Sequence, residues 1–585
     1  MVVGRVFMRW AAVAGAASGA ALLHPWSAWE PASKGEEGRG GTTTITHGWM
    51  RGCRLAHAEA GRDDDDGNHD HDSHEVVNWS GTHTAWPRVF VEPNSLGEVE
   101  DALARAHATG QRLRVVGSAI SPNGLAFSDE GMLSMVNCNR VLWVDPDSKQ
   151  VCVEAGARVA DVVEKLRPYG LTLQNYASIR EQQIGGFVQA GAHGTGAAIP
   201  PADDQVVGFS LITPAQGTLS VTRESHPELF DLARVGLGAL GIMGTVTLQC
   251  VDHHLLTERT SVITREEARR GHKERLRRNK HVRYMWIPYE DAVVVVECNN
   301  TTHAARAQDE AEAEEKQASE HEAYALAPLR SLLQQVNPSI SQDRMRTMHF
   351  ADLRDAILAA NPRDVEHVKK CNAAEAEFWR RNQGITSVGY SDEVLGFECG
   401  GQQWVNEVCF PAGTLQAPDM ADMAFMADLL ALIEDNHVPA PAPIEQRWTR
   451  TSTSAMSVGG PGPGRVPAHE DGIHAWAGII MYLCTADTRE REAITQAFFK
   501  YRQLVADNLD AKYDAYVHWA KLEVPTDPAE LRELRARMRE RFPVDRFNHF
   551  RRRLDPRGVL SNTFIAKLFD EQEDNGTSHT SPQTA

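Results

Sequence analysis

The sequence predicts a mixed fold of helices and sheets, α/β or α+β, divided into more than one domain. Three observations predict it. The chain has 585 residues, more than one hydrophobic core accommodates. Short apolar strands alternate with amphipathic helices from Val76 to about residue 260. From there to about residue 500 the pattern changes to a strongly apolar strand, an acidic alanine-rich stretch and a Gly/Pro loop.

Each element has a local reason. Ser95-Leu96-Gly97-Glu98 reads as a capping box, and Leu96, Val99, Leu103 and Ala106 recur at helical spacing until Gly110 stops the helix. Leu113 to Val116 is a short apolar strand that runs into Gly117-Ser118-Ala119-Ile120-Ser121-Pro122. Val151 to Glu154 reads as a strand, Gly156 as a turn, and Val159, Val162, Val163 and Leu166 as the apolar face of a second helix. Ala292 to Val296 is a buried strand, Ala304 to Ala325 a solvated helix or insertion, and Gly459 to Gly464 an irregular loop. Near the end, Tyr516 to Val524 reads as a strand and Pro528 to Arg553 as a basic helix.

Composition narrows the function classes. Hydrophobic residues make up 42% and charged residues 24%, a soluble globular mix. The formal charge of −19 argues against nucleic acid, whose phosphates need clustered Lys and Arg, and suits a basic protein partner. Nine cysteines without a C-x-x-C read as reduced thiols rather than a disulfide framework or zinc site. No run of 18 apolar residues is present. Met1 to Trp29 contains Arg5 and Arg9 but no acid, which suits an organelle transit peptide; its Ala/Gly-rich run also resembles a secretory h-region or a weak membrane anchor. Residues 30 to 75 are polar, and the His/Asp run from His69 to Glu75 reads as a solvated linker rather than a metal site.

Gly236-Leu237-Gly238-Ala239-Leu240-Gly241 fits G-x-G-x-x-G, but a dinucleotide fingerprint needs a strand before it and a helix after it. Here Pro227 to Val235 reads as a helix and Ile242 to Cys250 as a strand, so the order is reversed. The glycine-rich run Gly191-Ala192-His193-Gly194-Thr195-Gly196 follows Gly185-Gly186 and asks what approaches the backbone so closely.

Several rare motifs then occur in one order: V-G-S-A-I-S-P-N (Val116 to Asn123), the run from Leu171 to Gly196, G-L-G-A-L-G, P-A-P-I-E-Q-R-W (Pro441 to Trp448), H-W-A-K (His518 to Lys521) and D-P-R-G-V-L-S-N (Asp555 to Asn562). Together they resemble the sugar-1,4-lactone oxidoreductases of the vanillyl-alcohol-oxidase flavoprotein superfamily, over about residues 76 to 568. The resemblance implies an α+β fold: a two-subdomain FAD-binding domain at 76–260, a substrate (cap) domain with an antiparallel sheet and helices at 261–510, and a C-terminal segment at 511–570 completing the site. A transit peptide and linker fill 1–75 and a disordered tail 571–585.

It implies FAD held by Gly117, Ser118, Ile120, Ser121, Pro122, Ala177, Ile184, Gly185, Gly186, His193, Gly194, Thr195, Gly196, Gly241, Ile242 and Lys521. Side-chain-free loops suit a diphosphate, which wants converging N–H donors. Ile120 stands where many relatives carry the histidine that links the flavin, so non-covalent FAD is expected. His193 is expected to be a hydrogen-bonding loop residue.

The implied reaction is oxidation of L-galactono-1,4-lactone at C2, with enolisation of the product to L-ascorbate. Glu445 and Arg447, at i and i+2, would share one strand face toward the lactone; without the resemblance they read as a structural ion pair. Lys521, strand-spaced with Trp519, would face the flavin. The proton acceptor is Glu445 or His518. Ala177 matches a position that gates oxygen, and Cys399 a thiol near the substrate channel that reads equally as a buried inert cysteine. The implied acceptor is cytochrome c, the implied location mitochondrial, at the inner membrane or intermembrane space, with respiratory complex I intermediates as further partners. A lactone oxidase that uses oxygen is the nearer alternative. No metal is expected.

Overall fold

A computed structural model describes residues 74–302, 311–396, 400–461 and 471–570. The expected transit peptide, the His/Asp run up to Ser73, the tail from Glu571, Cys53 and Cys399 lie outside the described residues.

Among the described residues, three larger sheets build the molecule, beside two two-stranded ones that pair Val76–Val77 with Thr84–Ala85 and Leu171–Thr172 with Val251–Asp252. A small parallel sheet carries Phe90–Val91, Met132–Ser134 and Arg114–Val116, with Met132–Ser134 in the middle. A five-stranded antiparallel sheet follows in the order Gly217–Thr222, Val206–Thr213, Ile242–Gln249, Gln150–Glu154 and Val141–Asp145. These two sheets and their helices share one apolar core. An eight-stranded antiparallel sheet spans the second half, with its own cores on its two faces. The fold is thus α+β. Strand Leu255–Ile263 already belongs to the large sheet, so it straddles residue 260.

Local chemistry explains the elements. The helix Leu96–Thr109 starts where Ser95 Oγ accepts from Glu98 N at 3.3 Å and stops at Gly110, φ 74°. The reciprocal bond of a capping box is shifted by one residue: Glu98 Oε2 accepts from Asn94 N at 2.9 Å. Val99, Ala102, Leu103 and Ala106 form its buried face. G-L-G-A-L-G lies between the helix Pro227–Ala233 and the strand Ile242–Gln249, the reverse of a dinucleotide fingerprint. Its carbonyls at Leu237 and Gly238 accept from the guanidinium of Arg114, which also donates to Leu125 O and Leu560 O. This buried arginine ties the first sheet, the glycine loop and the C-terminal segment together.

The C-terminal segment departs from its reading in two places. Only Tyr516–Val517 is a strand, at the edge of the large sheet beside Gln403–Thr414. The His518 carbonyl then accepts from Lys521 N at 2.8 Å and Leu522 N at 3.0 Å, closing a turn that pulls the chain off the sheet. Trp519 and Lys521 therefore do not share a strand face: Trp519 is buried in the first core, its Nε1 donating to Met456 O at 2.7 Å. The basic helix is broken into Pro528–Arg541 and Val544–Leu554, because Pro543 has no N–H to continue the first. Both pack back on the first core.

Candidate active site

A cavity of about 400 Å³ opens between the first domain and the inner face of the large sheet. The first domain contributes Gly117, Ile120, Ser121, Pro122, Ala177, Gly185, Gly186, His193 and Ile242 to its wall. The cap sheet contributes Arg283, Glu407, Glu445, Arg447 and Gly478, and the C-terminal turn contributes His518 and Lys521.

Six of the expected cofactor residues lie off this wall. Ser118 donates its hydroxyl to Glu181 O at 2.6 Å, and Ile184 is fully buried in the first core. Gly241 packs on Leu211, whose Cγ would sit 2.6 Å from an added Cβ. Gly194, Thr195 and Gly196 form a seam with the cap. A Cβ on Gly194 would lie 2.1 Å from Tyr176 O; Gly196 N donates to Trp448 O at 2.7 Å. The Thr195 hydroxyl donates to Val282 O, and Thr195 O accepts from His281 Nδ1 at 2.6 Å. In this seam glycine serves backbone packing against backbone.

The wall fits a large planar and diphosphate-bearing group. A Cβ at Gly186 would meet nothing within 4 Å, whereas one at Gly117 would press on Gln183 Oε1 at 3.0 Å. The side-chain oxygens of Gln182 and Gln183 are buried on this wall without a hydrogen-bond partner among the described residues. Two such acceptors suit a ligand with amine and imide N–H groups.

The chemistry sits on one face of the strand Ile444–Arg450. Its register pairs Glu445 with Met285 on one side and Gly478 on the other, and Gly478 with Glu407. Five charges alternate across this face. Arg283 Nη1 lies 3.7 Å from Glu445 Oε1, and Glu445 Oε2 lies 3.3 Å from Arg447 Nε. Arg447 Nη2 donates to Glu407 Oε1 at 2.8 Å, and Lys521 Nζ lies 2.9 Å from Glu407 Oε2.

Burial alone would push the Glu407 carboxyl up, but Lys521, His193 and Arg447 together hold it well below the usual carboxylate range. His193 stacks on Trp476 with ring centroids 3.7 Å apart and reaches Glu407 Oε2 with Nε2 at 3.3 Å. Burial holds its imidazole below the ordinary range. Burial and then Lys521 hold His518 well below it too. His518 Nδ1 accepts from Ala520 N at 3.0 Å, which fixes its proton on Nε2 facing Gly191 O at 3.1 Å.

His193, Glu407 and His518 offer donor atoms within 4.8 Å of one another, a geometry that could hold a metal. A cation there would face Lys521 and Arg447, which already match the Glu407 charge.

The comparisons with known proteins agree with this architecture. The description "FAD binding domain" matches residues 87–223. The description "D-arabinono-1,4-lactone oxidase" matches residues 246–568, more than half of the chain. The chain belongs to the D-arabinono-1,4-lactone oxidase family. FAD is its cofactor. This family member is 50% identical over 506 residues to L-galactono-1,4-lactone dehydrogenase 2, mitochondrial, of Oryza sativa subsp. japonica, covering 86% of this chain and 85% of that one. It is 48% identical to L-galactono-1,4-lactone dehydrogenase, mitochondrial, of Arabidopsis thaliana, with 85% and 82% covered. L-gulonolactone oxidase of Bos taurus is 38% identical over 38% of this chain and 51% of its own length. Cholesterol oxidase from B. sterolicum shares the fold, with TM-score 0.63 at 14% identity over 85% of this chain and 96% of that chain.

Sequence reasoning missed Glu407, Arg283 and Trp476. Their signal was only strand periodicity, and which strands neighbour Ile444–Arg450 is a property of the sheet order. Among the described residues, no helix is long and apolar enough to cross a membrane, and the seven described cysteines are free thiols.

Proposed function

We propose that the protein is an FAD-dependent oxidoreductase that converts L-galactono-1,4-lactone at C2 to the 2-keto lactone, which enolises to L-ascorbate. The observation that carries this reading is the pairing of Glu445 and Arg447 on one strand face, inside the cavity that the glycine loops of the FAD-binding domain also line. FAD, when bound, supplies the two-electron acceptor for the C2 hydride.

The chain's residues do the rest. Arg447 presents a planar fork to the lactone oxygens, with Arg283 on the far side of Glu445 as a second cation. Glu445, about a quarter exposed at 24%, is the acceptor for the C2 hydroxyl proton. His518 is the poorer base, since both of its ring nitrogens are engaged with backbone. Lys521 supplies positive charge beside the reacting group. Gly117, Gly185 and Gly186 line the cavity, with Gly186 alone of the three leaving open space where a side chain would stand. Ile120 offers FAD no nucleophile, so the cofactor is bound non-covalently. His193 serves as a loop residue that supports Glu407.

Ala177 lines the same cavity, and its methyl group restricts oxygen there, so electrons pass to cytochrome c. The relatives above are named mitochondrial; the inner membrane or intermembrane space is the compartment that suits this acceptor, and complex I intermediates are further partners. The test is anaerobic mixing of the flavin-loaded protein with L-galactono-1,4-lactone. Bleaching of the flavin absorbance within seconds, followed by recovery on adding cytochrome c, is the expected result. A flavin that stays oxidised rejects the substrate; a flavin that bleaches but reoxidises only with oxygen rejects the acceptor.

A further inference from the structure

We infer that Glu407 is the positioning residue of this site, a buried anion whose two oxygens aim Arg447 from one side and Lys521 from the other. This rests on the lactone reading for what the two cations hold, but the geometry stands apart from it.

Glu407 joins its own strand to three other segments. Oε1 takes Arg447 Nη2, from strand Ile444–Arg450, at 2.8 Å. Oε2 lies at ion-pair distance from Lys521 Nζ of the C-terminal turn, 2.9 Å, and 3.3 Å from His193 Nε2 of the glycine loop. The Glu407 backbone carbonyl accepts from His518 N at 2.9 Å, so strand Gln403–Thr414 fastens the Lys521 turn twice, once through main chain and once through side chain. The Glu407 side chain is 5% exposed, so solvent cannot take over either contact.

Glu407 stands across Gly478 from Glu445. A Cβ at Gly478 would be 3.9 Å from Glu407 Cβ and Cγ, so no side chain separates the two acids. The groups facing Lys521 are then Glu407 and His193, with His518 on its own turn, Arg447 and Glu445 on the neighbouring strand, and Arg283 beyond them. Glu407 is the anion that contacts both Arg447 and Lys521 in this group. Removing its charge leaves two cations without the anion between them: Lys521 loses its ion pair, and Arg447, still held by Glu445 at 3.3 Å, loses the contact that fixes its Nη2 side.

The test uses the flavin-loaded full chain carrying Glu407→Gln or Glu407→Asp. Glu407→Gln is expected to lower kcat/KM for the lactone by about 100-fold, the size seen when one preorganised site group is lost. Brief acetic anhydride labelling at pH 8, read by mass spectrometry of the Lys521 peptide, is expected to run about tenfold faster in Glu407→Gln than in the parent protein, because a released amine is a better nucleophile. Either readout within twofold of the parent overturns the inference. Glu407→Asp keeps the charge but withdraws it by one methylene. Its Lys521 labelling is expected to return to the parent rate while KM stays raised at least fivefold, because Arg447 is drawn back with the carboxylate. This variant decides the matter if Glu407→Gln fails to fold, and a parent-like KM in it overturns the inference. Labelling needs no lactone, so a protein that ignores L-galactono-1,4-lactone rejects the proposed substrate while the lysine result still judges Glu407.

Discussion

The strand Ile444–Arg450 carries two polar networks, one on each face, and they differ in what they leave unfinished. On the back face, Trp448 Nε1 and His272 Nε2 both reach Asp422 Oδ2 at 2.7 Å, and Met423 N donates to Asp422 Oδ1 at 2.8 Å. Gln446 accepts from Trp286 Nε1 at 2.9 Å and donates to Asp422 O at 3.2 Å. Asp422 and His272 are 0% exposed, and this network is closed. On the front face, Glu445 and Arg447 meet Arg283, Glu407 and Lys521 along an open cavity. A saturated polar network fixes a core, whereas a charged row with spare donors and acceptors waits for a ligand.

The comparison is easiest to break from behind. Asp422→Ala leaves His272 Nε2 and the Trp448 N–H buried without their shared acceptor, and is expected to cost about 3–5 kcal/mol of stability, the usual penalty for removing one side of a buried pair. Urea unfolding measures it; a midpoint like the parent's would mean that the back face is not a structural network. Arg447→Ala on the front is expected to keep the fold and bound FAD but lower kcat/KM by about 100- to 1000-fold. A loss of stability as large as that of Asp422→Ala, with turnover preserved, would reverse the roles of the two faces.

The pH dependence sharpens the contrast. His193 and His518, on the front, and His281, held at about 4 on the seam, all stay neutral in the native state because burial lowers them. The unfolded chain takes up protons on these rings near pH 6.5 while the native chain does not, so their stability is fully present above 6.5 and is lost as pH falls below it. The loss is on the order of 1 kcal/mol per ring per pH unit. Glu407, whose native value is depressed, adds to it only below its unfolded value of about 4.5. Buried Asp203 and Asp510, raised to about 6, act in the opposite sense over the same range, so the rings are read by difference. Between pH 7.5 and 5.5 the parent should lose about 1 kcal/mol more stability than His281→Asn, and an equal loss contradicts a buried neutral ring. The smallest effect is expected at Ala177, where Ala177→Gly removes one methyl from the cavity wall. Hydrogen peroxide formation with the lactone should rise severalfold with kcat for cytochrome c nearly unchanged, and an unchanged oxygen rate refutes a gate at this position.

Much of the first half was legible because its rules are local. Ser95 and Gly110 bound a helix through caps that act over four residues, and the helix–glycine–strand order around Gly236 to Gly241 sufficed to set aside a Rossmann-type strand–glycine–helix fingerprint there. The same local reading failed at Tyr516 to Val524. Nothing in the alternation of these residues announces that the His518 carbonyl closes a turn, since that turn is held by Glu407 from another strand. It failed in a different way at Gly194 to Gly196, where glycine signals close approach but does not say whether a ligand or the Trp448 carbonyl approaches.

By itself the sequence determined the mixed fold, the family to which its motifs point, and the presence of Glu445 and Arg447 on one face, because i and i+2 in a strand cannot face apart. Only the tertiary structure decided which charges surround that pair. Arg283, Glu407, Trp476 and Lys521 come from distant strands and a terminal turn, and their meeting depends on the order of strands in the sheet. That order is set by which apolar faces bury one another across the whole chain, a long-range balance that no window of neighbouring residues contains.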